Sequence, residues 1–249
     1  TTLVAYLKFI RYTPEIYQSS SELKLDIKRE ATDFGIKTFA DDQNLNTIAE
    51  EIELIQSNLF LSKVLDSLPL DVTYFNKGEF MNFEFFGNPP FRVEYKMTGP
   101  ALYNTPVFLR ETNDNMIMLR AGEAGNSIKG RYGEPLQFQG MELTITKNEN
   151  FKTTDDLDCF FLINSHDVQL DYLSGNLSVE AIDLRANIIS ISFKDNNAYK
   201  ARTIVNRVDS LYLQYSNEQK NLANKQKIDW LTNELQQIES KMESYENYF

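Results

Sequence analysis

Near its C-terminus the chain reads WLTNELQQIESKMESYENYF, Trp230 to Phe249. Leu231, Leu235, Ile238, Met242, Tyr245 and Phe249 recur at spacings of four, three, four, three and four. That is the a/d pattern of a helix with one apolar seam, and a seam of this kind requires a partner helix. Glu234, Glu239, Lys241 and Glu243 occupy the other faces. Apolar stripes usually mean no more than packing. On a long helix, packing is already a functional statement, because the partner must come from this chain or from a neighbour. No glycine, proline or cap closes the seam at Phe249, so the sequence predicts a helix that continues and a chain that is a segment of something larger. The helix is expected to start near Asn197 and to run, with or without a break, to the end.

The middle of the chain has the other period. Val72–Phe75 is followed by Asn76-Lys77-Gly78, a strand and a turn. EFMNFEFFG, FRVEYKM, PVFLRET, MIMLRAG, LQFQG and ELTITK follow, separated by Gly, Pro and Asn. Short alternating strands at this spacing predict an antiparallel sheet or small sandwich. CFFLINS, Cys159–Ser165, reads as a further strand. SHDVQLDYLSGNL reads as a short helix with Gly175 as its C-cap, and LSVEAIDLRANIISISFKD as two more strands.

Toward the N-terminus, Pro14 should end any preceding helix. Residues 16–27 alternate, with Leu23, Leu25 and Ile27 on one face of a strand. Residues 31–45 are polar and mixed and read as a loop. NTIAEEIELIQSNLFLSKVLDSL then gives helices, with Asn46 or Thr47 as cap and Glu50 completing a capping box. A break is expected near Ser57–Asn58 and an end before Pro69. The fold class is therefore α+β. Residues 1–75 and 159–215 form an α/β base, a mixed sheet of the first strand and the strands near 159–194 with packed helices. Residues 76–158 form a β-rich insertion, and 216–249 begin the long coiled-coil helix.

Composition bounds the function. The chain has 249 residues with a formal net charge of -11, so general electrostatics will not hold it to nucleic acid. Cys159 is the single cysteine, which rules out an internal disulfide without fixing the compartment. His166 is the single histidine; its neighbours Ser165 and Asp167 make no triad by adjacency, and capping or surface hydrogen bonding is the plainer role. One histidine and one cysteine are too few for a usual zinc site. Asp155, Asp156 and Asp158 lack the spacing of a calcium loop and read as a solvated loop. Gly125 and Gly130 have the G-x4-G spacing, but Arg131-Tyr132 stand where a phosphate loop needs Lys and Ser/Thr, so these glycines read as turns between strands. Asn176–Ser178 fits a glycosylation triplet, a pattern common by chance. No catalytic residue, metal ligand or cofactor is expected.

No run of about eighteen apolar residues occurs. LVAYLKFIRY, Leu3–Tyr12, nevertheless reads as the outer end of a membrane helix or as a first element of the domain. In the membrane reading Tyr6, Lys8, Arg11 and Tyr12 lie at the interface and Pro14 just beyond it.

Four blocks carry a resemblance. RYTPEIYQSSSELKL presents Pro14, Tyr17, Ser19 and Ser20; IAEEIELIQSNLFLSKVLDSLPLDVTYF presents Glu51, Ile52, Ser57, Val64, Leu68, Leu70 and Tyr74. NIISISFKDNNAYKARTIVNRVDSLYLQYSNEQK presents Asp195, Ala201, Asn206 and Tyr212, with Ala198 where a proline is usual; the last block presents Trp230, Leu231, Leu235, Glu246 and Phe249. In order and spacing these resemble chain-length determinant proteins, the polysaccharide co-polymerases of the Wzz type. The β-rich middle resembles the insertion of longer, Wzc-like tyrosine autokinases of Bacteroidetes type. The resemblance implies a non-enzymatic periplasmic scaffold in an inner-membrane protein that controls chain length or export of capsular, exo- or lipopolysaccharide. It implies flanking membrane helices, ring-forming homo-oligomers, polysaccharide polymerase or export machinery as partners, and a kinase domain beyond a second membrane helix. Lys8 and Arg11 depart from it mildly, since positive charge favours the cytoplasmic side. The alternative is a periplasmic adaptor of an efflux or secretion pump, which requires two flanking β segments around a helical hairpin. A glycan-acting enzyme on a β-sandwich is a third reading, and it leaves the heptads unexplained.

Overall fold

The structure, a computed structural model, describes residues 14–26, 37–78, 81–97, 102–112, 115–123, 125–151 and 158–246. It is α+β, with two compact units, Thr1–Arg207 and Val208–Phe249.

The first unit contains a base and a sandwich. In the base, β1 (Tyr17–Lys24) pairs antiparallel with β12 (Ile188–Asp195), which pairs with β11 (Leu177–Asp183). Ile189, Ile191 and Phe193 alternate on one face of β12 and are fully buried. That period-two pattern fixes the register, because a slip of one residue would turn all three to solvent. Helix α1 (Lys37–Gln56) packs on β11, and α2 (Asn58–Leu65) packs on α1 and on α3 (His166–Asn176). Ser57 separates α1 from α2 where the sequence predicts a break: its hydroxyl accepts from the Phe60 amide at 3.2 Å and caps the second helix.

The sandwich has a six-stranded sheet and a three-stranded one. The strands are β2 (Val72–Asn76), β3 (Phe83–Phe85), β4 (Phe91–Met97), β5 (Val107–Thr112), β6 (Met116–Ala121), β7 (Ser127–Arg131), β8 (Pro135–Phe138), β9 (Met141–Lys147) and β10 (Cys159–Ile163). Their orders are β3-β2-β10-β5-β6-β7 and β4-β9-β8. Phe91, Phe138, Phe161, Ile117, Leu119 and Leu143 fill the space between the sheets. The Phe91 and Phe161 rings meet edge to face, and the Tyr74 hydroxyl of β2 accepts from the Val93 amide of β4 at 3.0 Å, tying one sheet to the other.

Four expectations are corrected. Cys159–Ile163 does not join β1 in the base; it lies between β2 and β5 in the middle of the six-stranded sheet. Its Cys159, Phe161 and Ile163 face the sandwich core while Phe160 is covered on the other side, and a strand apolar on both faces belongs in a sheet's interior. Helix α1 begins at Lys37, within the stretch read as a loop, so Thr47 lies inside the helix and does not cap it. Residues 37–45 are polar but contain no glycine or proline, and polarity alone does not break a helix. Gly175 lies inside α3, whose C-cap is Leu177. The stretch around Gly125 and Gly130, expected as turns alone, includes β7. Gly130 lies within that strand, and a Cβ there would lie 2.3 Å from the Leu136 side chain, which favours glycine at the position.

Candidate functional site

Helix α4 (Ala198–Glu246) carries both candidate regions, one at its start in the first unit and one along the second unit.

At its start the sequence Asp195-Asn196-Asn197 builds the helix entrance. The Asp195 carboxylate accepts from the Asn197 amide at 2.6 Å, and the Asn197 side-chain oxygen accepts from the Lys200 amide at 3.1 Å. Asn197 is thus the N-cap and Lys200 the third residue of the helix. A cation there opposes the helix dipole. Glu84 of β3 faces it, and Asp195 lies beside it through Tyr172. Lys200 donates to both Glu84 oxygens, at 2.8 and 3.1 Å, with side-chain exposures of only 7% and 18%. Asp195 accepts from the Tyr172 hydroxyl of α3, and the Lys200 ammonium lies 4.5 Å from the Tyr172 ring centroid.

Burial pushes the Glu84 carboxyl up from its ordinary value, and Lys200 pulls part of that back. Burial, reinforced by Asp195, raises the Tyr172 phenol. Because Glu84 belongs to β3 and Lys200 to α4, the pair braces the sandwich edge against the base. Phe86 and Tyr199 meet nearby at 5.8 Å. Gly87 has φ +86°, and a Cβ there would lie 2.9 Å from Tyr199, so only glycine lets this loop close on the helix. A cavity of about 660 Å³ opens beside the brace, lined by Pro14, Tyr17, Phe83, Asn197 and Tyr199 among others. The sequence reading missed Lys200, since one lysine among many gives no signal until β3 is placed beside it.

The second unit is helical to Glu246 without a break. Leu231, Leu235, Ile238 and Met242 are 51%, 59%, 54% and 58% exposed. Ile228, three residues before Leu231 and 62% exposed, lengthens the same stripe. From Ile228 to Met242 the stripe runs about 21 Å. Tyr245 continues the helix, and Phe249 lies outside the described residues. Among the membrane-proximal candidates, Tyr6, Lys8, Arg11 and Tyr12 also lie outside them; Pro14 is exposed at the cavity rim.

Other candidates resolve plainly. Ser165, and not His166, caps α3 by accepting from the Val168 amide. Among the described residues no group of three or more His, Cys, Asp or Glu side chains could hold a metal ion, and no helix is long and apolar enough to cross a membrane. Asp155 and Asp156 lie outside the described residues. Cys159 is buried with its thiol pushed up to about 11, chiefly by that burial.

No family model matches the chain. It is similar to the tyrosine-protein kinase wzc of Salmonella typhimurium, 24% identical over 206 residues that cover 79% of this chain and 28% of that protein. The protein of the same name from Salmonella typhi matches to the same extent. A Klebsiella pneumoniae protein designated a tyrosine-protein kinase in the cps region is 25% identical over 261 residues, covering 99% of this chain and 35% of that protein. The chain thus spans about a third of the length of the curated relatives it matches. Across most of its own length the chain is thus similar, at 24–25% identity, to Wzc-type tyrosine-protein kinases.

Proposed function

We propose that this chain is the non-enzymatic, periplasmic scaffold region of an inner-membrane polysaccharide co-polymerase, setting the chain length or export of a surface polysaccharide. The observation that carries this reading is the exposed seam Ile228, Leu231, Leu235, Ile238 and Met242 on a chain whose relatives are Wzc-type proteins. An apolar stripe at a/d spacing expects a partner helix, and a second copy of the same chain supplies one. Head-to-tail contacts that close make a ring, the arrangement expected of the assembled parent. Tyr245 and Phe249 would extend that interface. Tyr6, Lys8, Arg11, Tyr12 and Pro14 would mark the approach to a flanking membrane helix. The acidic brace at Lys200 would hold the sandwich in a fixed pose on the base. Any kinase activity would reside in a part of the parent protein outside this chain. A pump adaptor, the competing reading, draws no support from the relatives.

The test is the length distribution of surface polysaccharide in cells lacking the parent gene and in cells restored with Leu235→Glu and Met242→Glu. Deletion should shift or abolish the polymer, and the double variant should reproduce the defect. An unchanged polymer on deletion would remove the polysaccharide reading. A changed polymer on deletion with a fully active double variant would remove the helix interface alone.

A further inference from the structure

The outer face of the six-stranded sheet, the side away from the sandwich core, carries an aromatic row that ends in a cationic field. Register places Phe75, Phe160, Phe108 and Arg120 directly opposite one another on β2, β10, β5 and β6. Phe75 and Phe160 are stacked at 4.9 Å, and Phe108 stands 5.4 Å from Phe160. Lys77 and Arg120 both lie over Phe108, at 5.1 and 5.4 Å. Beside this row opens a cavity of about 490 Å³ whose lining includes Phe75, Pro106 and Leu162, with Asn82 and the Lys77–Glu123 ion pair, 3.5 Å long, also on its wall.

The same face of β5–β7 continues outward. Arg110 and Lys129 flank Met118, and Arg131 pairs with Met116. Arg110, Arg120, Lys129 and Arg131 are all exposed, and the outward positions of these three strands hold no carboxylate. The patch spans about 14 Å along the strands and 10 Å across them, by sheet geometry. In a chain of net charge -11, four cations gathered without a carboxylate among them are a local reversal of the field.

We infer that this face binds a carboxylate-bearing polysaccharide segment, the aromatic side of the cavity taking the C–H face of a sugar ring and the cations its carboxylates. The inference rests on the polysaccharide reading above and names the class of polymer handled. The chemistry fits at both ends. Aromatic and proline surfaces suit the apolar face of a pyranose, and guanidinium forks suit carboxylates. A polyuronate also carries its charge more sparsely than a nucleic-acid duplex, so a local patch can outweigh the chain's overall repulsion.

The experiment is affinity electrophoresis of the purified chain in gels containing polygalacturonate, fully methyl-esterified polygalacturonate, or polyglutamate, with sedimentation on phosphatidylglycerol vesicles beside it. Polygalacturonate alone should retard the protein. Replacing Arg110, Arg120 and Lys129 by glutamine should weaken binding about tenfold, as three exposed charge contacts would. Phe108→Leu should weaken it without changing its salt dependence. Equal retardation by polyglutamate, equal binding to vesicles, equal retardation by the esterified polymer, unchanged binding of the triple variant, or no retardation at all would overturn the inference. None of these results bears on the polymer profile of the deletion strain, so this assay and the scaffold assay fail separately.

Discussion

Lys200→Met removes the ammonium of the brace while keeping the length and most of the bulk of the side chain. Glu84 is then left with 18% exposure and no cation. Breaking a buried pair from one side costs about 3–5 kcal/mol, and the lower end applies because Glu84 still reaches some water. Removing a cation from the third helical position returns about 0.3–1 kcal/mol. The net loss is about 2–3 kcal/mol, which lowers Tm by about 4–12 °C in a protein of this size.

The pH dependence carries the sharper test. Burial already raises the folded-state carboxyl of Glu84 above its ordinary 4.5. A carboxyl that holds its proton more tightly folded than unfolded makes stability fall as pH rises from 4.5 through the folded value. Without Lys200 that folded value climbs further, and the falling window extends to higher pH. The gap between wild type and Lys200→Met should therefore be widest near pH 8 and shrink toward pH 5, and Glu84→Gln combined with Lys200→Met should recover most of the loss. Thermal melts by circular dichroism at four pH values between these limits decide it. A gap below about 0.5 kcal/mol, the scale of an ordinary surface substitution, or one that does not change with pH, would refute the buried-pair argument.

Three further outcomes are expected. Gly87→Ala forces a left-handed backbone on alanine and drives a methyl into Tyr199, so urea unfolding should show a loss of about 1–2 kcal/mol. The Cys159 thiol, pushed up to about 11, should be inert to a disulfide reagent at pH 8 in native protein and react at once in denaturant; prompt native reaction would contradict its burial. Ser57→Ala should cost about 1 kcal/mol by removing the cap of α2, visible as a lower urea midpoint with an unchanged slope.

Strand periodicity was legible wherever one face met a core. Ile189, Ile191 and Phe193 announce their own strand and its inward face. The assignment of strands to sheets was not legible. Phe160 and Phe161 look alike in sequence, yet one faces the sandwich core and the other a ring stack, and only their cross-strand partners distinguish them. The helical seam was visible because heptad spacing is local, and Ile228, three residues before Leu231, continues the same spacing. The brace was invisible because Glu84 and Lys200 are 116 residues apart and neither belongs to a motif. The basic face of β5–β7 was hidden in the same way: its four cations are scattered among three strands and gather only through register.

Val72, the first residue of the sandwich, lies directly opposite Ile163, the last. The chain therefore leaves the base and returns to it through two positions about 5 Å apart. A whole head can be exchanged at that seam, or shortened to a hairpin, while the strands and helices that carry the base keep their ends where they were. Change in the surface of the head is in this way uncoupled from change in the base. Two lineages can keep one scaffold and diverge in the surface it presents.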